Sequence, residues 1–286
     1  MQTDHSLLRE AIRAILREMD GGDLSGKSLS KVSELVEINR RLRDAGLGVE
    51  VGLASEGSGM KSFFFAVRSL NPEGASSATR LSSDVDSRME LIKSALPLED
   101  SEAKQAVETA RKLIEEIPWG RIEIRQPRPA EGPCSGAFMV NITSPTKNKW
   151  GPLLYDLAME WASQNGGGLM SDRGSVSPSA QAVWDKYSTS RADSDPSKDD
   201  VKAVQLDILP GFLEHDKHDP KFFWGKNQLT PENLSDDCDQ FPTGEHARGI
   251  VDEKGVGDWQ FSPLSRAYKK NNNSVTGALS DVGLLW

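Results

Sequence analysis

Cysteine is scarce in this chain: its 286 residues contain two, Cys134 and Cys238, in unrelated sequence contexts. A fold built on disulfides needs more, so the sequence points to reduced thiols in an intracellular setting. Long apolar runs are missing as well. None approaches the ~20 residues required to span a bilayer, and no membrane partner is expected. The opening MQTDHSLLREAIRAILREMD has neither a continuous apolar core nor a small-residue cleavage site. The expectation is therefore a protein not secreted by a signal peptide. An excess of basic residues is also lacking. With 34 Lys and Arg against 43 Asp and Glu, the net charge is −9, which argues against non-specific binding to nucleic acid. The acidic residues are dispersed rather than gathered in a tail, as suits a solvated surface.

Several chemical motifs are absent too. The string HDKHD sets His215 and His218 three apart, but no Cys pair or HExxH pattern supplies further metal ligands. A solvated acidic loop is the simpler reading. SDDCD around Cys238 lacks the spaced ligands and central glycine of a calcium loop. No Ser–His–Asp arrangement can be assembled. GLASEGSGM joins two strand-like segments and opens no helix, so it is not a nucleotide-binding loop.

What remains is a series of well-marked elements. Leu8, Ile12, Ile15, Leu16 and Met19 recur at helical spacing from Leu7 to Met19, and Gly21, Gly22 and Gly26 set this arm (residues 1–26) apart. The mixed charge of its polar face favours packing on protein over a membrane surface. A second helix is expected from Ser30 to Ala45, with Val32, Leu35, Val36, Ile38 and Leu42 apolar and Gly46 as the stop. GVEVGLA and KSFFFAVRS then read as a hairpin, followed by a Ser-rich loop over Asn71–Ser87 that completes a segment to residue 99. Asp100–Ile117 is expected to be helical, ended by Pro118. RIEIRQP and GAFMVNITS are strands, followed by helix Gly151–Asn165, strand Gly168–Ser171, helix Ser177–Ser190 and strand VKAVQLDIL. This alternation implies a mixed or partly parallel sheet with helices packed on it, an α+β fold whose core spans 100–209. From 210 to 286 periodicity is poor and elements look short. Yet Phe212, Phe222, Phe223, Trp224, Trp259, Phe261, Tyr268 and Trp286 are scattered there. Aromatics of this kind pin an irregular extension onto a domain surface.

The informative stretch is NKWGPLLYDLAMEWASQNGGGLMSDRGSVSPSAQAVWDKY. Pro152 suits a first helical turn. Leu153, Leu154, Leu157, Ala158 and Trp161 form an apolar stripe, with Asp156 and Glu160 off it. Gly166–Gly168 permit the left-handed exit that helices prefer. A helix amino terminus leaves backbone N–H groups unpaired and carries partial positive charge, so this one can receive a phosphate, with Lys147 and Lys149 adding to the field. A plain strand-to-helix turn with two solvated lysines fits the same residues. Asp172, Arg173, Ser175 and Ser177 make a polar cluster before the next helix, where Ser177 is a good N-cap ahead of Pro178. Asp172 and Arg173 could pair with a substrate or simply fix the loop.

Strand, turn, long helix, short strand, helix with a late aromatic, strand: from Arg121 to Asp207 this order resembles the core of the GNAT superfamily of N-acetyltransferases. GPLLYDLAMEWA is similar to that family's long helix. SDRGSVSPSAQAVWDKY, VKAVQLD and PLSRAYKK resemble more narrowly the acetyltransferase-like proteins of bacteriophages. The resemblance implies a site for acetyl-coenzyme A (acetyl-CoA) on the turn Lys147, Asn148, Lys149, Trp150 and Gly151, with Gly151 matching the glycine that begins the helix. It also implies that backbone N–H groups of AFMVNITS polarise the thioester carbonyl.

Three positions depart from the family. Its turn reads Arg or Gln, two free positions, Gly, one free position, then Gly or Ala; here those slots hold Thr146, Lys149 and Gly151. A glycine lets backbone approach phosphate closely, whereas Lys149 supplies a cation instead. The family's tyrosine, four residues after an alanine, acts as the acid that reprotonates the leaving thiolate. Counted from Ala180 that place is Trp184, a donor but no practical acid. Tyr187 lies three residues further on and can reach the same cleft; it also reads as a tyrosine with its ring packed and its hydroxyl wet. Transfer to an amine needs a base or water relay. Glu123 is a candidate by position, on the strand face opposite Ile122 and Ile124, which solvent could equally occupy.

Two functions follow as expectations. One is an acetyl-CoA-dependent N-acetyltransferase acting by direct attack of an amine on the thioester. The other is an inactive member of the same fold serving as a virion or interaction protein with partners in a phage particle. The corresponding locations are the host cytoplasm or the virion.

Overall fold

The computed structural model describes residues 25–43, 47–56, 59–69, 120–127, 134–144, 150–172, 176–188, 201–206 and 262–285. The helices expected at Leu7–Met19 and Asp100–Ile117, the Ser-rich loop, the His215–His218 string and Cys238 lie outside these residues.

Helix α1 (Ser25–Arg43) buries Leu29, Val32, Leu35, Ile38 and Leu42, a stripe repeating every three or four residues. Arg40, Arg41 and Arg43 fall in its last turn, where cations oppose the helix dipole. It starts at Ser25 rather than Ser30 because Gly26 does not break it. Ser28 is buried and bonded to a distant helix, and that tertiary contact outweighs the local propensity of glycine. Strands β1 (Leu47–Glu56) and β2 (Met60–Ser69) form the expected hairpin, in unbroken register from Leu47–Ser69 to Glu56–Met60.

The described strands make a single mixed α+β sheet flanked by helices. Strand β3 (Arg121–Arg125) pairs antiparallel with β2 and with β4 (Phe138–Thr143), with a bulge between Glu123 and Ile124. Helix α2 (Gly151–Asn165) then crosses to β5 (Leu169–Met170), which runs parallel to β4. Helix α3 (Pro178–Lys186) leads towards β6 (Val201–Gln205). Strand β7 (Arg266–Lys270) inserts between β5 and β6, antiparallel to both, and helix α4 (Ser274–Asp281) follows. The order across the sheet is β1-β2-β3-β4-β5-β7-β6. The tail of the chain returns to its beginning: Val51 N–H donates to Leu284 O at 2.7 Å, on the outer edge of β1.

Residue alternation divides the sheet into two faces. Phe138, Leu169 and Tyr268, aligned across β4, β5 and β7, join the main core with α1, α2 and α4. Their neighbours Met139, Met170 and Ala267 form a smaller cluster with Cys134 on the other face. Here the structure corrects the expectation of reduced thiols, because Cys134 is disulfide-bonded.

Two further departures concern position. Asp156 and Glu160 lie off the apolar stripe of α2 as expected, yet neither is solvated; both are fully buried. The helix is covered on its flanks by α1, α3 and α4, and each carboxylate is met by donors from those elements. Within the extension, Tyr268 is a core residue as its ring suggested, but it sits on a sheet strand rather than on a wrapping loop. The exit of α2 is tightly built. A Cβ on Gly167 would stand 2.2 Å from Ser135 O, and Gly167 N–H donates to Gly136 O at 2.8 Å. Only glycine fits against that turn.

Candidate functional site: a cleft at the head of the long helix

Strands β4 and β5 pair only at Phe138–Leu169 and Met139–Met170. Strand β4 runs on through Thr143, while α2 begins at Gly151 beside its carboxyl end. In sheets with parallel strands, ligand sites form outside these carboxyl ends. A cavity of about 1030 Å³ lies here, large enough for a drug-sized or cofactor-sized molecule. Its walls come from five elements: Ser28 and Lys31 of α1, Arg121 of β3, Thr143 of β4, Gly151 and Asp156 of α2, and Tyr187 with the Ala180–Val183 face of α3.

The turn expected to hold a cofactor is placed in part. Gly151 and Pro152 line the cavity at the start of α2. Trp150 is buried at 1% exposure and turns the other way. Its ring meets Phe65 edge-on at 5.7 Å, and Lys31 Nζ sits 4.8 Å from its centroid. Trp150 therefore braces the turn from the core side and does not plug the cleft. Lys147, Asn148 and Lys149 lie outside the described residues.

On α3, Ser177 caps the helix as expected, accepting from Ala180 N–H at 3.3 Å. Ala180, Val183 and Tyr187 share the face turned to the cavity. Trp184 faces away, stacked on Tyr268 at 5.5 Å and edge-on to Tyr155 at 5.5 Å. The hydroxyl of Tyr187 is not wet. It donates to Asp156 Oδ1 at 2.8 Å, and Ser28 Oγ donates to Asp156 Oδ2 at 2.6 Å. A single buried carboxylate thus joins α1, α2 and α3 at the cavity wall.

A second tyrosine, Tyr155, also lines the cavity. Burial pushes its phenol up to about 12, against a smaller opposing effect from its hydrogen bond with Thr143. It stays protonated across the physiological range. Glu123 is buried at 4% exposure, on the sheet face opposite Ile122 and Ile124, and pairs with Arg121 Nη1 at 3.0 Å. The structure therefore brings Gly151 and Tyr187 to one cavity, with Glu123 attached to it through Arg121. Asp172 is described, apart from the lining residues, and Arg173 and Ser175 lie outside the described residues.

Ser28, Thr143, Tyr155 and Asp156 were not singled out as site residues from sequence. Each comes from a different stretch or an ordinary helical position, and no local motif connects them. The one available hint was Asp156 itself, a carboxylate one turn after the apolar start of a helix.

Among the described residues no cluster of three or more His, Cys, Asp or Glu could hold a metal ion, and no helix is long and apolar enough to cross a membrane. Compared with family models, curated proteins and solved structures, the chain matches none of them.

Proposed function

We propose that the cleft binds an acyl carrier of the acetyl-CoA type and that the protein transfers its acetyl group to an amine. The observation that carries this reading is the cavity opening on Gly151, at the head of α2 and beside the carboxyl end of β4. The helix dipole favours an anionic group at that point, although Pro152 has no N–H and Leu153 N–H already donates to Trp150 O at 3.1 Å. Lys31, Arg121 and Lys186 add cations to the walls, while Pro152, Leu154 and Val183 offer apolar surface to a flexible arm. A buried carboxylate, Asp156, and two tyrosines, Tyr155 and Tyr187, line the same cavity. The order of elements from β3 to β6, including a parallel β4–β5 pair spanned by a long helix, supports the same reading through its resemblance to the GNAT superfamily.

Thermal denaturation with and without acetyl-CoA tests it. Ligand at a hundred times its dissociation constant stabilises by about 2.7 kcal/mol. A melting temperature unchanged at millimolar acetyl-CoA removes the proposal.

A second reading is a protein of the same fold that does no chemistry and serves in phage particle assembly. Trp184 favours it: the residue in the place of the family's acid is packed in the core. Mass spectrometry of purified particles discriminates the two. Stoichiometric presence in virions supports assembly, and absence from them, together with acetyl-CoA binding, supports the enzyme.

A further inference from the structure

We propose that Asp156 is the proton store of this cleft, exchanging protons with the reactants through the hydroxyls of Tyr187 and Ser28. The inference rests on the acyl-transfer reading and adds to it the residue that moves the proton. Each carboxylate oxygen of Asp156 accepts from one hydroxyl, Oδ1 from Tyr187 at 2.8 Å and Oδ2 from Ser28 at 2.6 Å. All three residues line the cavity, and all three are almost fully buried. Two hydroxyls therefore stand on either side of one buried carboxylate.

The other buried acids suit this role less well. Glu160 is held by Lys270 Nζ, by Val275 and Thr276 N–H and by Thr276 Oγ1, away from the cavity lining. Glu123 is tied to Arg121 on the opposite sheet face. Among the described lining residues Asp156 alone is acidic.

The chemistry balances without another reactant. The amine nitrogen attacks the thioester carbonyl carbon; the C–N bond forms and the carbonyl π pair moves to oxygen. As the carbonyl reforms, the C–S bond breaks and its electron pair leaves on sulfur. The proton lost from nitrogen goes to the oxygen of Ser28, whose own proton passes to Asp156 Oδ2. Tyr187 gives its proton to sulfur and recovers one from Asp156 Oδ1. The sum is amine plus thioester to amide plus thiol, with the carboxylate restored. Tyr187 and Ser28 are the groups that touch the reactants, and Asp156 is the positioning residue behind them. The charged and titratable groups around it are Lys31 of α1, Arg121 of β3, Tyr155 of α2 and Lys186 of α3, which line the same cavity.

The test follows thiol release from acetyl-CoA by the full chain across pH, with water alone and with a set of small primary amines. Acetyl-CoA affinity is measured separately by calorimetry. Asp156→Asn is expected to bind acetyl-CoA as the native protein does, while kcat falls by about 10²–10⁴-fold, the usual contribution of a positioned acid–base group. Its rate should no longer follow the native pH profile, and Asp156→Glu should recover part of the rate. Should Asp156→Asn not fold, Tyr187→Phe and Ser28→Ala carry the same expectation. Native rate and native pH profile in folded variants overturn the relay. Binding without thiol release above the uncatalysed rate also overturns it, yet leaves the carrier-binding reading standing. Absence of binding by the native chain removes that reading and the relay together.

Discussion

Lys270 Nζ meets Glu160 Oε1 at 2.7 Å with neither side chain exposed to solvent. The same carboxylate accepts Val275 N–H at 2.9 Å and Thr276 N–H at 2.8 Å, two of the orphan donors at the start of α4. Lys270 is the last residue of β7, and its backbone N–H donates to Ser163 of α2 at 2.8 Å. One carboxylate thus fastens β7 and α4 onto α2. The helix whose first turn opens the cleft is held at its other half by residues from the end of the chain.

Buried ion pairs are most costly when only half is removed. Glu160→Ala leaves Lys270 charged and α4 without acceptors, and should lose about 3–5 kcal/mol in urea denaturation. Lys270→Met should lose less, since the backbone donors of α4 still satisfy Glu160. The double change to methionine should cost less than the sum of the two single ones, because neither charge is left unpaired. Additive losses would mean that the two side chains do not act as a pair.

Much of this fold was readable in the sequence. The β1–β2 hairpin, β3, β4, the limits Gly151–Asn165 of α2 and the Ser177 cap all follow from periodicity, turn residues and capping chemistry. The insertion of β7 between β5 and β6 was not readable, since no local signal says which edge a late strand will join. The same limit applies to the site. Gly151 and Tyr187 were found because helix starts and helix faces have regular spacing. Asp156 reads in the sequence only as an off-stripe carboxylate, since its partners Ser28 and Tyr187 lie on other elements. Trp150 was expected as one residue of the cofactor turn, and a position within a turn does not fix which way a large ring packs. Phe65 and the core claim it.

Tyr155 supplies an alkaline signature. Its phenol is pushed up from 10.0 to about 12 by burial, so the folded state holds that proton more tightly than the unfolded chain. The resulting stability is fully present below pH 10 and is lost as pH rises from 10 towards 12. The span corresponds to about 2–3 kcal/mol. Spectrophotometric titration should find one tyrosine ionising near 12, and Tyr155→Phe should flatten this part of the stability–pH curve. An unchanged curve in that variant would assign the alkaline loss to another group.

Cys134 sits at the tight turn against which Gly167 packs, and it is disulfide-bonded. Native protein should show no reactive thiol at this position until reductant is added. Reduction should lower stability by about 2–4 kcal/mol, the usual contribution of a disulfide. Immediate alkylation of Cys134 in the unreduced native protein would contradict this. Cys134→Ser should behave like the reduced protein.

The most direct test of the account is calorimetric titration of acetyl-CoA into the native chain and into Ala180→Trp. Ala180 lines the cavity from the surface of α3 and is not a core residue, so the larger ring fills the cleft while leaving the fold intact. The account predicts saturable one-to-one binding by the native protein and at least roughly tenfold weaker binding by the blocked variant, a loss of about 1.4 kcal/mol, at an unchanged melting temperature. No binding by the native protein, or equal binding by both, would contradict a carrier site at the head of the long helix.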